Sequence, residues 1–394
     1  MNVLILNADY PGFLRALYSD TPDLAHASYR RQMEARNASL FGVADFYSVN
    51  FRALGHKAAE IHVNNGWLQS AWARENGLRT ALSVPAAKAE RPRWASRAIG
   101  VARPVLRPLY KRLRGGGITA AEREILSAQI EEFEPDLVLN HDMAYIGNDF
   151  LASVRSKKCL IVGQLAAPLP ADRNFGAYDL VISSLPNLVA WFRAGGIKSE
   201  LNRLAFEPRV LQALGPAPTR DIDVSFVGSL SPEHRSRIAV LEHVARHAPL
   251  KVWGNGISRL PASSPLHACY QGEAWGREMY DVLRRSRITL NKHIDLAEGY
   301  ANNMRLYEAT GAGALLLTDR KKNLDEIFVA GEQVAAYDTP EECIAQIAHY
   351  LAHEPARADI AEAGHRHAVG VHNYHRRMGE LLGLIGTLKP ASVS

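Results

Sequence analysis

Short apolar runs recur along the whole chain, each closed by a turn-forming or polar residue. Residues 2–7 (NVLILN) lead into Asp9-Tyr10-Pro11-Gly12, as a strand buried on both faces ends in a loop. A helical stretch, then Leu54-Gly55-His56 and the run AAEIHV at 58–63, complete a strand–helix–strand opening. LVLN after Pro135-Asp136, CLIVGQL at 159–165 and YDLVISS at 178–184 continue the rhythm, with helical segments between them. Unbroken apolar strands alternating with helices predict a parallel α/β sheet.

The pattern breaks at Ala205-Phe206-Glu207-Pro208 and Gly215-Pro216-Ala217-Pro218, then restarts at DIDVSFVGS, 221–229. LKVWG at 250–254, RITLN at 287–291, ALLLTD at 314–319 and a strand near Gln333 to Ala336 predict a second sheet. Residues 340–386 carry Leu, Ile and Ala at helical spacing, and the tail from about Thr387, with Pro390 and small polar residues, is expected to fray. The expected division is therefore 1–218 and 219–394, two Rossmann-like α/β domains whose parallel sheets face across a cleft. Ligands in such folds sit outside the carboxyl ends of the strands. A length of 394 residues fits two domains.

Composition narrows the class without naming it. Apolar residues are 47% and charged residues 22% of the chain, so full cores can be buried and disorder is not indicated. No apolar run is long enough to span a bilayer, and the start lacks a basic leader; a cytoplasmic protein is expected. Cys159, Cys269 and Cys343 lie far apart without metal-ligand or disulfide spacing, so neither a metal nor a cofactor is expected. The net charge of +5 is concentrated. Between Lys88 and Arg114 stand Lys88, Arg91, Arg93, Arg97, Arg103, Arg107, Lys111, Arg112 and Arg114 against Glu90 alone. Interleaved with Trp94, Ile99, Val101, Val105, Leu106 and Leu109, they suit peripheral contact with an anionic membrane face; a solvated flap is the alternative. Stacking aromatics are not regularly spaced there, which argues against a nucleic-acid partner.

The richest chemistry lies in Asn302-Asn303-Met304-Arg305-Leu306-Tyr307-Glu308-Ala309-Thr310-Gly311-Ala312-Gly313, followed by ALLLTD. It reads as a polar helix start, a helix ended by glycine, and a buried strand. Unpaired amide hydrogens at such a start attract phosphate, Arg305 adds a forked cation, and Glu308 can accept both hydroxyls of a ribose. The competing reading is a capped surface helix with an Arg305–Glu308 ion pair. Asn291-Lys292-His293 closes another strand at the same level, and His293 is a candidate for a phosphate or sugar hydroxyl.

The 302–319 segment resembles the donor-site signature of glycosyltransferase group one, in particular the branch of spore-maturation-type glycosyltransferases with an N-x-R-x-x-E-A pattern. Asn323-Leu324, Ile327-Phe328, Gly331-Glu332, Gly364 and His372-Asn373-Tyr374-His375-Arg376-Arg377 extend the resemblance over most of 221–386. It implies a GT-B fold, a nucleoside-diphosphate sugar as donor and a hydroxyl acceptor in a glycolipid, polysaccharide or secondary metabolite. Glu308 would be the ribose ligand, with Asn303 and Arg305 beside it. Phe226-Val227-Gly228-Ser229 resembles the family's first C-terminal loop, where Gly228 and Ser229 admit the donor and Arg237 neutralises the diphosphate. Trp253-Gly254-Asn255-Gly256 places Gly254 and Asn255 by the nucleobase, and Asn291 and His293 complete the donor set. The sequence departs from retaining members, which carry a second glutamate where Tyr300 stands, so the stereochemistry is open.

For the acceptor side, strand ends offer Asp9, His141 and Asp142 as catalytic bases, with Asp45 a further acid; each type also serves as a helix cap or turn residue. A non-catalytic, degenerate transferase acting as a binding or membrane-associated partner subunit is the alternative to an enzyme.

Overall fold

The computed structural model describes residues 1–80, 82, 117–230, 235–294 and 297–388. The basic segment 88–114, and with it the expected membrane contact, lies outside the described residues.

Among the described residues, twelve strands form two parallel six-stranded sheets with flanking helices. In the first, β1 (Asn2–Asn7), β2 (Lys57–His62), β3 (Leu137–Asn140), β4 (Leu160–Gln164), β5 (Leu180–Ser183) and β6 (Ser199–Leu201) run in the order β2-β1-β3-β4-β5-β6. In the second, β7 (Ile222–Val227), β8 (Leu250–Trp253), β9 (Tyr270–Gly272), β10 (Ser286–Asn291), β11 (Leu315–Asp319) and β12 (Ala335–Tyr337) run in the order β12-β11-β10-β7-β8-β9. Val3–Leu6 and Leu315–Leu317 are buried on both faces, which is why these strands read as apolar runs rather than as alternation.

Compact packing groups residues 1–38, 55–165 and 169–181 into one unit, and 39–54, 166–168 and 182–394 into another. The second unit thus takes in 39–54, with the helix Phe46–Ala53, and 166–168 and 182–218 besides the residues from 219 on. There Asn50 donates to Glu207 Oε2 at 2.6 Å, Arg209 pairs with Asp45 at 3.0 Å, and the Phe46 and Tyr47 rings meet Tyr374. Asp45 is thus an ion-pair partner, half-buried beside Arg209, not a free acid.

In the second unit, Val224, Phe226, Leu241, Val252, Ile288, Leu290, Leu315 and Leu317 share one core with Ile347 and Tyr350. The chain order sends β8 and β9 to one side of β7, and β10, β11 and β12 to the other. The carboxyl ends of β7 and β10 therefore flank a topological switch point, the place where an open parallel sheet leaves a crevice for ligand. In the first sheet the equivalent point lies between β1 and β3.

Candidate functional site

Beside the switch point of the second sheet, the loops after β7 and β8 pack backbone against backbone. Gly228 N–H donates to Trp253 O at 2.9 Å, and Leu230 N–H to Asn255 O at 2.8 Å. Gly254 has φ +149°, and a Cβ there would fall 1.7 Å from Gly228 O, so only glycine fits. Asn255 is half-buried at the rim.

Arg237 spans the crevice. Its Nη1 donates to Ser229 O at 3.3 Å, while Nε and Nη2 donate to Lys292 O at 3.3 and 3.2 Å. The guanidinium therefore ties the loop after β7 to the loop after β10, and its side chain is buried. Three of its nitrogens thus meet carbonyls, and its charge is held beside the end of β10.

Asn291 ends β10 with its side chain consumed. Its Nδ2 donates to Thr318 Oγ1 at 2.9 Å, and its Oδ1 accepts from Asn303 Nδ2 at 2.7 Å. Asn303 in turn caps the helix Met304–Gly311, its Oδ1 accepting from Leu306 N–H at 3.2 Å. Asn291 supports the helix start. That start keeps the positive end of the helix dipole beside the end of β10.

Next along the chain, His293 is buried with a side chain showing no exposed surface, and its Nδ1 lies 2.7 Å from Asp319 Oδ1. Asp319 also accepts from the His293 amide at 2.9 Å, from Lys292 Nζ at 2.8 Å and from Lys321 Nζ at 3.0 Å. Burial would raise the Asp319 carboxyl, but His293 and Lys292 outweigh it and hold the group far below the usual carboxylate range. His293 Nδ1 thus orients the Asp319 cluster, while its Nε2 is buried without a hydrogen-bond partner among the described residues.

Within the helix, Arg305 Nη1 lies 3.0 Å from Glu308 Oε2, and Arg305 Nη2 reaches Met279 Sδ at 3.3 Å. The ion pair named as the competing reading is present. It does not leave Glu308 an ordinary surface acid: the residue is only 5% exposed, and burial raises its carboxyl above the usual value against the opposing pull of Arg305. A buried carboxylate holding one cation keeps lone pairs for ligand hydroxyls.

In the first unit, the ends of β1, β2 and β3 gather buried polar groups. Asp9 pairs with Arg36 at 2.5 Å and lies 3.2 Å from His62 Nδ1, all three deeply buried. Burial opposes ionisation of Asp9, yet His62 and Arg36 prevail and keep it charged far below the usual range. A carboxylate so held is a weaker base than an ordinary one. His141 Nδ1 sits 2.7 Å from Asn7 Oδ1, and burial, aided by His62, lowers its pKa to about 3. His141 is neutral and a weak proton acceptor. Asp142 differs: its Oδ1 accepts from Tyr145 N–H at 3.0 Å, it is half-buried, and burial raises its pKa. Of the three expected bases, Asp142 alone has both access and the right direction of shift.

The family model described as Glycosyl transferase-like matches residues 235–383, which hold β8 to β12 and the helix Met304–Gly311. No curated protein sequence matches the chain. Among solved structures, sucrose-phosphate synthase of Thermosynechococcus elongatus is 12% identical over 98% of both chains, with a TM-score of 0.55. Anabaena Alr3699/HepE in complex with UDP-glucose is 12% identical, covering 98% of this chain and 99% of that one, with a TM-score of 0.58. AviGT4, a glycosyltransferase involved in avilamycin A biosynthesis, is 14% identical over 98% of both, with a TM-score of 0.56. The fold is GT-B, and the fold and the family match together support a glycosyltransferase.

Proposed function

We propose that the chain transfers a glycosyl group from a nucleoside-diphosphate sugar, held by its second sheet, to a hydroxyl acceptor. The observation that carries this reading is the helix start at Asn303: it is capped, braced by Asn291, set at the switch point, and followed one turn on by the buried Glu308. Diphosphate would lie at the helix start, the ribose hydroxyls would reach Glu308, and the glycine loops at Gly228 and Gly254 would admit the nucleoside. The binding of UDP-glucose by Anabaena Alr3699/HepE, of the same fold, supports a donor of this class.

In the reaction the acceptor oxygen bonds to the anomeric carbon. The carbon–oxygen bond to the diphosphate breaks, its electron pair leaving with the phosphate oxygen, and the acceptor proton passes to a base, for which Asp142 is the best placed by chemistry. No metal is assigned a step. The N-x-R-x-x-E pattern at Asn303, Arg305 and Glu308 favours the spore-maturation-type branch, with a cytoplasmic enzyme whose segment 88–114 touches an anionic membrane carrying the acceptor.

The test is nucleoside-diphosphate binding and sugar-donor turnover by Glu308→Gln. Loss of hydrogen bonds from a charged acceptor costs about 1.5–3 kcal/mol, so binding should weaken roughly tenfold to a hundredfold. Unchanged affinity with intact folding would remove Glu308 from the site, and no turnover with any donor by the parent chain would favour a degenerate, non-catalytic subunit.

A further inference from the structure

A nucleoside diphosphate brings negative charge that a helix start, equivalent to roughly half a positive charge, does not balance. Arg237, the expected counter-ion, has its nitrogens committed to the carbonyls of Ser229 and Lys292. Arg305 is paired with Glu308. Lys322 lies over the Tyr300 ring, its Nζ 5.7 Å from the centroid. Arg320, directly after β11, pairs with Asp338. Among the described residues, a further concentration of positive charge at these strand ends is the pair Lys292 and Lys321.

These lysines follow the ends of the adjacent strands β10 and β11, and both Nζ atoms approach the same oxygen, Asp319 Oδ2, at 2.8 and 3.0 Å. The other oxygen of Asp319 is filled by the imidazole and amide of His293. A carboxylate offers about four acceptor sites, so Asp319 is saturated by this shell. Two ammonium groups against one carboxylate leave the cluster net positive. Each ammonium has three N–H donors, of which Asp319 Oδ2 takes one. Both lysine side chains are 17% exposed, so neither is sealed from solvent. Lys292 directly follows Asn291, whose side chain braces the helix cap Asn303 at 2.7 Å, which sets the cluster beside the helix start.

We infer that Lys292 and Lys321, gathered by Asp319, form the subsite that binds the diphosphate of the donor and stabilises it as leaving group, an inference that rests on the nucleotide-sugar reading. Asp319 is a positioning residue: it holds both ammonium groups at one point, and His293 fixes its orientation from behind. The preorganised cations meet the charge that develops on the leaving phosphate oxygen without having to be gathered during the reaction.

The test uses the full-length chain with a panel of nucleoside diphosphates, the matching monophosphates and nucleosides, and pyrophosphate alone, followed by calorimetry at two salt concentrations. Lys292→Met and Lys321→Met should each weaken diphosphate binding about tenfold or more and flatten its salt dependence, with nucleoside binding unchanged. Lys→Arg at either position should restore much of the affinity. Asp319→Asn separates positioning from field: removing a negative charge would tighten binding if only the field mattered, whereas loss of alignment weakens it. Thermal unfolding of each variant, ligand-free, shows whether the fold survives. If the parent binds nucleoside diphosphates and the methionine variants, folded, bind them equally well, the inference fails while the donor reading stands. If the parent binds none of the panel, both fail.

Discussion

Asp9 and Asp142 follow strand ends of the same sheet, and their surroundings give them opposite chemistry. Asp9 is locked as a carboxylate by Arg36 and His62, while Asp142 faces burial with only backbone N–H groups of Tyr145 and Ala144 pulling the other way. A base must be deprotonated to act, so a raised pKa moves the acidic limb of the rate profile upward in pH. The rate of glycosyl transfer should therefore fall as pH drops through a value above the ordinary carboxylate range, and be full above it. Asp142→Asn should remove that limb and cost roughly a hundredfold to ten-thousandfold in kcat, the usual span for a positioned base. A pH–rate profile of the two proteins checks this, and an unchanged limb in the variant would assign it to another group. Nothing in the sequence separates the two aspartates, because the difference comes from Arg36 and His62, contributed by distant stretches of chain.

At the scale of elements, the donor side is built from loops whose close approach depends on glycine. Gly254→Ala would drive a Cβ into Gly228 O, 1.7 Å away, at a φ of +149° that side chains rarely adopt. Backbone cannot yield as a side-chain tip does, so about 1–3 kcal/mol of overpacking is expected, with strain added. Chemical denaturation should report that loss, and nucleotide affinity should fall with it because the loops after β7 and β8 move together. Alanine tolerated at no cost would show that these loops are looser than their packing implies. The central strands of this unit were legible in the sequence since each is a continuous apolar run. The edge strands β6 and β9 were not: Ser199–Leu201 and Tyr270–Gly272 are three residues each, polar in part, and defined by their neighbours rather than by pattern. The helix at Met304 was legible through Asn303 and Gly311. Its brace was not, since Asn291 and Asp319 read as strand-end polar groups until β10 and β11 lie side by side in register, Asn291 opposite Thr318.

For the whole molecule, charge distribution carries information that the fold does not. The chain has a net charge of +5, yet the segment from Lys88 to Arg114 holds nine basic residues and one acid, so the remainder is net negative. A protein of that composition would be drawn to an anionic bilayer through one stretch and repelled over the rest. Each Lys or Arg near such a surface is worth about 1 kcal/mol, and the attraction fades within a Debye length of about 10 Å at 0.1 M salt. Among the described residues no helix is long and apolar enough to cross a membrane, so an association of this kind would be peripheral. The chain should therefore cosediment with vesicles containing an anionic phospholipid at low salt, release at high salt, and ignore neutral vesicles. Replacing Arg91, Arg93, Arg97, Arg103 and Arg107 by glutamine should abolish cosedimentation while leaving nucleoside-diphosphate binding intact, because the donor residues all lie beyond Ile222. Equal binding to neutral and anionic vesicles, or binding unaffected by those substitutions, would mean that the basic run serves the protein in some way other than electrostatic docking.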